Sequence, residues 1–238
     1  TTLFRSLNNE LGTVQPIRKL FDGFRGSGML HHTDAVQAVG HMPIDVKELG
    51  VDLLSMSAHK FNGPKGVGAL YVKRGTPLPP FIHGGAQESG KRAGTENVAG
   101  IVGMGQAIAE AVEHMEERNE HVLRMKRLFV DMCEEEQIDT RQNVPFNESG
   151  ILSVCFPGVD AESLLLTLDN FGVCASAGSA CNSSSIEASH VLRAIGLNEA
   201  QARSTIRFSF GHQNTEADVL NAVAALKDSL QLLEVKPA

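Results

Sequence analysis

Residues 51–60 read VDLLSMSAHK, a short apolar run that ends at a histidine and a lysine. A similar run at residues 29–33 ends at Asp34, and another at residues 68–72 stops before a glycine and a cluster of prolines. Apolar runs of this length, alternating with polar helical stretches, are typical of α/β folds. Because ligands of open α/β sheets bind beyond the carboxyl ends of the strands, we expect Asp34 and Lys60 to face one crevice.

The composition is that of an ordinary globular protein. The 238-residue chain has a net charge of -7, with 42% hydrophobic and 21% charged residues, close to the average of globular proteins. It lacks the basic excess that nucleic-acid binding requires, and no apolar run reaches the ~18 residues of a membrane span. Four cysteines without a C-x-x-C pair argue against a zinc site and against a disulfide framework. Free thiols predict a reducing compartment, so we expect a cytoplasmic α/β enzyme without a metal.

A change of character along one helical stretch predicts the domain organisation. Roughly from Asn97 to Glu135, the sequence is small and apolar at first and strongly charged after Val112. We therefore predict a larger domain over residues 7–112 and a smaller α+β domain over residues 113–238. In the smaller domain, strands are predicted near residues 151–156, 173–176 and 205–210, and helices near residues 161–168, 189–195 and 215–233.

The first six residues, TTLFRS, show neither a clear helical nor a clear strand period. One choice of codons for them reproduces the end of a common sequencing adapter. We interpret residues 1–6 as a cloning or assembly scar and expect them to lie outside the fold.

Asp34 and Lys60 together suggest pyridoxal phosphate (PLP). A lysine can bind this cofactor as a Schiff base while an acid pairs with its pyridinium nitrogen. Ser57 and His59, just before the lysine, could hold a phosphate. The alternative is that Asp34 caps a turn and Lys60 is an ordinary solvated lysine.

Cys181 is a second candidate for chemistry. It lies in residues 175–185, a loop of small residues with little to pack against. An exposed thiol on such a loop suits a nucleophile that travels to its substrate, although an incidental surface cysteine fits equally well. Cys133, Cys155 and Cys174 stand in helix or strand patterns and are expected to be buried and inert.

Arg207 is a charged residue among the apolar positions of a predicted strand. It could clamp the carboxylate of an amino acid, or simply face solvent at a sheet edge. The tandem His31 and His32 could suggest a metal, but adjacent strand residues point to opposite faces. Core or stacking roles are therefore favoured for both histidines.

Eight stretches, taken in order, resemble the NifS/IscS-like cysteine desulfurases of the class V aminotransferase family. They are NNELG (8–12), HTDAVQ (32–37), SAHK (57–60), GPKG (63–66), HGG (83–85), RAGT (92–95), GSAC (178–181) and IRFS (206–209). The resemblance covers essentially the whole chain after residue 6. It implies PLP-dependent transferase fold type I, with part of a mainly parallel large domain followed by a small α+β domain.

The resemblance implies how the cofactor would be held. Lys60 would bind PLP covalently and act as the base at the substrate Cα. Asp34 would pair with the pyridine nitrogen and Gln37 with the ring oxygen. Ser57 and His59 would bind the phosphate.

The resemblance also implies roles in substrate binding and sulfur transfer. Asn9 would contact the cofactor and, with Arg207, orient L-cysteine, while Thr95 would reach the phosphate of the neighbouring subunit of a homodimer. The Cys181 thiolate would take the sulfur as a persulfide, leaving alanine. The persulfide would pass to an iron–sulfur scaffold protein or a tRNA-thiolation protein, and the short loop around Cys181 resembles the iron–sulfur group.

The family pattern also begins well before Asn8, with a glycine/threonine phosphate loop and a histidine that stacks on the cofactor. This sequence contains neither, so we expect an N-terminally truncated chain that is poorly stable or inactive. Two alternatives remain open: a class V aminotransferase or selenocysteine lyase without persulfide transfer, and an inactive fragment.

Overall fold

A computed structural model describes residues 1–178 and 189–233, and the chain divides into two compact units. The first unit contains Thr1–Leu7 and Val14–Met115, and the second contains Asn8–Thr13 and Glu116–Ala238. The division after Met115 lies close to the predicted change at Val112. Membership of residues 8–13 in the second unit is not a feature that sequence order predicts.

The first unit is built on a four-stranded sheet. Its strands are β1 (Thr2–Arg5), β2 (His31–Asp34), β3 (Leu53–Ser57) and β4 (Gly68–Val72), in the order β1-β2-β3-β4. β1, β2 and β3 run parallel, whereas β4 is antiparallel to β3. The sheet is therefore mainly parallel, as predicted.

β1 corrects the expectation that residues 1–6 lie outside the fold. The segment pairs with β2 along its whole length, and Ser6 N donates to Asp34 O at 2.9 Å. The Phe4 ring packs against Phe21 and Phe24, with centroid distances of 5.6 and 6.3 Å. An open edge of β2 offers unpaired backbone groups, and a short extended segment satisfies them whatever its periodicity.

Short helices connect these strands, and longer ones follow them. The first unit contains α1 (Ile17–Asp22), α2 (Val46–Leu49), a 3-10 turn (Ala58–Phe61), α3 (Gln87–Gly90) and α4 (Val98–Glu113). The helical stretch predicted from Asn97 to Glu135 is divided at His114, where α4 ends and α5 (Met115–Glu135) begins. None of the described helices combines the length and apolarity needed to cross a bilayer.

The second unit is an antiparallel sheet packed with helices, the α+β arrangement predicted. Its strands, in spatial order, are β5 (Arg141–Gln142), β6 (Ile151–Cys155) and β7 (Thr205–Ser209). After α5, its helices are α6 (Ala161–Asn170), α7 (His190–Ala194), α8 (Glu199–Arg203) and α9 (Glu216–Leu232). α9 starts with the predicted capping box, in which Thr215 and Asp218 exchange hydrogen bonds.

The three described cysteines are free, and two of them lie in the core. Burial raises the pKa of the Cys133 thiol to about 12 and also raises the pKa of Cys155. Cys174 is exposed, which corrects the expectation that it is buried. The strand predicted over residues 173–176 is reduced to one bridge between Ser176 and Arg207, so no neighbouring strand among the described residues covers this cysteine.

Candidate active site

The 3-10 turn after β3 presents Lys60. Ala58 and Phe61 are buried on one side of this turn, because residues three apart share a face of a 3-10 helix. The turn is closed by Gly63 N, which donates to Ala58 O at 2.8 Å. His41 Nε2 donates to Lys60 O at 2.8 Å. Hydrogen bonds thus hold the backbone of the turn around Lys60, whose side chain is half-buried.

Ser57 and His59 stand beside this lysine. Ser57 Oγ and His59 Nδ1 are in hydrogen-bond contact at 2.8 Å. Ser57 pairs across the sheet with Gly68 of β4, where an added Cβ would lie 2.6 Å from Met56 O. Glycine at that position therefore allows the close approach of β4 at the end of β3.

Asp34 ends β2, the parallel neighbour of β3. Because carboxyl ends of parallel strands meet at one edge of a sheet, Asp34 lies at the same edge as the Ser57–Lys60 segment. Its Oδ1 accepts from Val36 N at 3.1 Å, and its Oδ2 lies 3.3 Å from Arg5 Nε. The Arg5 contact was not foreseen, because residues 1–6 were expected to lie outside the fold.

The adjacent histidines of β2 occupy different environments. His31 stacks on Phe21 with a centroid distance of 4.6 Å, whereas His32 Nε2 lies 2.8 Å from Ser55 Oγ. Burial lowers the pKa of His32, against the smaller opposite effect of the Asp34 carboxylate. Across residues 1–178 and 189–233, no group of three or more His, Cys, Asp or Glu side chains is arranged to hold a metal ion.

Two further predicted cofactor residues lie in loops of the first unit. Gln37 is half-buried in the turn that follows Asp34. Thr95 is exposed in the loop that precedes α4. Their roles toward the cofactor stay predictions.

Arg207 and Asn9, the two predicted substrate residues, meet in the second unit. Arg207 Nη1 donates to Asn9 O at 2.9 Å. The backbone of Arg207 pairs with Ser176 through two hydrogen bonds of 2.7 and 3.1 Å. β7 therefore joins the Asn9 segment to the chain just before the residues around Cys181. Cys181 itself lies outside the described residues.

The Asn9 segment is a tight loop. Asn8 Oδ1 accepts from Glu10 N at 2.9 Å and from Leu11 N at 3.0 Å. Gly12 has a φ of +71°, and an added Cβ there would lie 2.0 Å from Ser149 Oγ. Only glycine combines that backbone conformation with that close approach.

Lys126, which the sequence did not single out, holds the residues that contact this loop, Asn147 and Ser149. Its buried ammonium donates to Asn147 O at 2.9 Å, Asn147 Oδ1 at 3.1 Å and Ser149 O at 3.0 Å. It also lies 4.4 Å from the centre of the Phe146 ring. Asn147 Nδ2 in turn donates to Leu11 O at 3.1 Å. Burial lowers the pKa of Lys126 to about 8.

One sequence signal could have revealed Lys126. It precedes Phe129 by three positions and Cys133 by seven, the spacing of one helix face, and both are buried. A lysine on an apolar helix face requires specific acceptors, because a buried charge is costly without them.

Comparisons with known proteins identify the relatives of this chain. The family model described as aminotransferase class-V matches residues 2–221. The cysteine desulfurase IscS of Clostridium botulinum is 48% identical over 216 residues, which cover 89% of this chain and 54% of that protein. The IscS of Dictyoglomus turgidum is 47% identical over 228 residues, 95% of this chain and 58% of that protein. The chain thus spans a little over half the length of these curated relatives.

Solved structures show the same likeness. A NifS-like protein superposes with a TM-score of 0.87 at 35% identity, covering 97% of this chain and 61% of that one. SspA, solved in complex with cysteine, superposes with a TM-score of 0.70 at 34% identity, covering 90% of this chain and 59% of that one. These findings confirm the predicted fold class and the resemblance to the NifS/IscS-like group.

Proposed function

Because the chain belongs to the aminotransferase class-V family, we propose that it acts as a PLP-dependent cysteine desulfurase, which converts L-cysteine into L-alanine and an enzyme persulfide. The observation that carries the proposal is the group of polar side chains gathered at one edge of the first unit's sheet. There Lys60, on a fixed turn, stands beside Ser57 and His59 and at the end of the strand next to that of Asp34. The relatives named cysteine desulfurase support the choice of reaction.

The donor set at this edge fits PLP. Lys60 supplies the amine for the cofactor's carbonyl carbon, Asp34 a carboxylate for its pyridine nitrogen, and Ser57 with His59 a hydroxyl and an imidazole for its phosphate. Gln37 and Thr95 would complete the contacts. When bound, PLP supplies an electron sink for bonds at the substrate Cα.

The other residues act on the substrate. The guanidinium of Arg207 binds the substrate carboxylate, and its contact with Asn9 O fixes its orientation. Lys60 moves the proton at the substrate Cα. The Cys181 thiolate attacks the substrate sulfur, and the Cβ–S bond breaks. The electron pair of that bond goes to the carbon, which is protonated to become the methyl group of alanine.

The cofactor is tested by titrating the purified chain with PLP and recording its visible absorption band. We expect a band that Lys60→Ala abolishes and that Lys65→Ala, an exposed lysine in the following loop, retains. A band unaffected by Lys60→Ala would contradict the assignment of Lys60.

Sulfur transfer is tested with L-cysteine, measuring alanine and sulfide. Cys181→Ser should keep the PLP band and lose sulfide release, whereas Cys174→Ser, which removes a thiol that is exposed in the structure, should keep both. Full activity in Cys181→Ser would instead favour an aminotransferase or selenocysteine lyase. Absence of any PLP band would favour an inactive fragment.

Partners and location belong to the same proposal. We infer a cytoplasmic homodimer that passes sulfur to an iron–sulfur scaffold or tRNA-thiolation protein. The free thiols of Cys133, Cys155 and Cys174 support a reducing compartment. The exposed apolar side chains Val98 and Val102 on α4 support a subunit contact. Light scattering at two protein concentrations tests the dimer.

A further inference from the structure

The segment that carries Cys181 lies between two described residues, Gly178 and Ser189, and one carboxylate lies beside both. Ser189 Oγ donates to Glu10 Oε2 at 2.5 Å. At the other end, a Cβ built on Gly178 would lie 3.3 Å from the same oxygen, so the Glu10 carboxylate lies close beside Gly178. Gly178 has a φ of +67°, which glycine adopts without strain.

Glu10 is itself held in place. Only 3% of its surface is exposed, and its backbone N–H is bound by Asn8 Oδ1 at 2.9 Å. The next residue of the loop, Leu11, is bound through its carbonyl by Asn147. A buried carboxylate is costly unless it accepts hydrogen bonds, and a hydrogen bond to a charged acceptor is about twice as strong as a neutral one. The contact with Ser189 is therefore a strong one.

Ser189 passes this constraint to the following helix. Its Oγ accepts from Val191 N at 3.2 Å and from Leu192 N at 3.4 Å while its hydroxyl proton is donated to Glu10. On the other side, Ser176 is paired to Arg207 through backbone hydrogen bonds. The residues on both sides of the Cys181 segment are thus hydrogen-bonded to Glu10 and Arg207, which lie in or next to the proposed substrate site.

We propose that Glu10 is a positioning residue for sulfur transfer: its carboxylate holds Ser189 by a hydrogen bond and lies beside Gly178, the described residues on either side of the segment that carries Cys181. The inference rests on the proposed function, since it assigns the fixed ends a use in that reaction. It gives Glu10 no contact with substrate or cofactor. Fixing the ends reduces the conformational search that the thiol must complete before attack.

The test uses the full chain loaded with PLP and four single variants. Glu10→Gln keeps the size of the side chain and removes its charge, and Ser189→Ala removes the donor. Asp160→Asn is the matched control, because Asp160 Oδ1 accepts a serine hydroxyl, that of Ser163, at 2.8 Å elsewhere in the second unit. Ser189→Thr keeps a hydroxyl and serves as the conservative rescue.

Two measurements distinguish the structural effect of the hydrogen bond between Glu10 and Ser189, called here the tether, from its effect on the reaction. Amide hydrogen exchange over residues 189–195 should become about tenfold faster in Glu10→Gln and in Ser189→Ala, as expected for a lost charged hydrogen bond. Asp160→Asn and Ser189→Thr should leave it unchanged. The kcat for alanine formation should fall about tenfold in the same two variants, with the KM for L-cysteine and the PLP band unaltered. The double variant should be no slower than the slower single one, because both remove the same contact.

Each alternative result has a definite meaning. Unchanged exchange in Glu10→Gln would overturn the tether, and so would additive losses in the double variant. A raised KM or an altered PLP band in Glu10→Gln alone would overturn the positioning role and place Glu10 in the binding site. If the unmodified chain forms no alanine while exchange responds as expected, the desulfurase function falls and the contact itself stands.

Discussion

The two units differ in how completely they bury their apolar side chains. The second unit closes around one large core, in which Phe129, Ile206 and Leu226 are almost fully buried. The first unit leaves Phe81 94% exposed and Val102 66% exposed. The difference shows that the predicted cofactor residues of the first unit and the predicted substrate residues of the second unit are held by different amounts of buried core. Arg207 stands on a strand packed into that large core, whereas Lys60 stands on a short turn of which only Ala58 and Phe61 are buried.

The largest expected effect tests the core of the second unit. Phe129 packs against Phe208 at a centroid distance of 4.7 Å and is 1% exposed. Phe129→Ala should lower the free energy of unfolding by about 3–5 kcal/mol, through lost burial and the cavity left behind. Urea unfolding followed by circular dichroism measures the change.

Val102→Ala is the counterpart in the first unit. An exposed side chain contributes little to the folding of one subunit, so at protein concentrations where the chain is a monomer the change should stay within about 0.5 kcal/mol. A loss that appears only at higher protein concentration would agree with the proposed subunit contact on α4, whereas a loss of about 2 kcal/mol or more in the monomer would contradict the prediction. That result would end the contrast between the units.

Lys126→Met should cost about 3 kcal/mol. The substitution removes three hydrogen bonds and leaves Asn147 O and Ser149 O buried without their donor. Lys126→Arg keeps a cation but not its compact shape, and serves as the control for charge. If the methionine variant is as stable as the unmodified chain, the polar cluster contributes nothing that an apolar side chain cannot replace.

The pH dependence of stability checks the same lysine. Burial lowers the pKa of Lys126 from 10.5 to about 8, so the folded chain releases this proton before the unfolded chain does. Between those pH values the unfolded state binds more protons, and the free energy of unfolding should rise with pH. The quantity to follow is the difference in the free energy of unfolding between the unmodified chain and Lys126→Met. Cys133 ionises in the unfolded state above its ordinary pKa and lowers the free energy of unfolding as pH rises. Because both chains contain Cys133, its effect cancels in the difference. A difference that is flat from pH 8 to pH 10.5 would contradict the lowered pKa.

A small effect is also expected at Arg5. Its ion pair with Asp34 is partly solvent-exposed, and such pairs contribute up to about 1 kcal/mol. Arg5→Ala should therefore change the urea midpoint only slightly, and less at high salt. A larger loss would show that β1 depends on this contact rather than on its backbone pairing with β2.

Local signals in the sequence predicted much of the fold. β4 has the predicted bounds, Gly68–Val72, because its apolar run is closed on both sides by glycine. β3 and α9 agree closely for similar reasons, since Ser57 ends one apolar run and Thr215 caps the other element. The edge shared by Asp34 and Lys60 follows from parallel pairing of neighbouring strands, which alternation of strands and helices already suggests.

What the sequence did not reveal depends on contacts between distant residues. β1 forms because β2 has an open edge, and no periodicity within residues 1–6 announces that. Lys126 and Leu11 are linked through Asn147, a chain of hydrogen bonds that brings together three separate parts of the sequence. The contact of Glu10 with Ser189 is of the same kind. The roles of Gln37, Thr95 and Cys181 stay predictions.

The pairing of Ser176 with Arg207 has a consequence for engineering. Ser176 is held to β7 by two backbone hydrogen bonds shortly before residues 179–188, and Ser189 begins α7 with its hydroxyl bonded to Glu10. Lengthening the sequence between these two anchors has only a slowly growing entropic cost. The interval can therefore serve as an exchangeable cassette, in which thiol-bearing sequences of different lengths are compared on one unchanged scaffold.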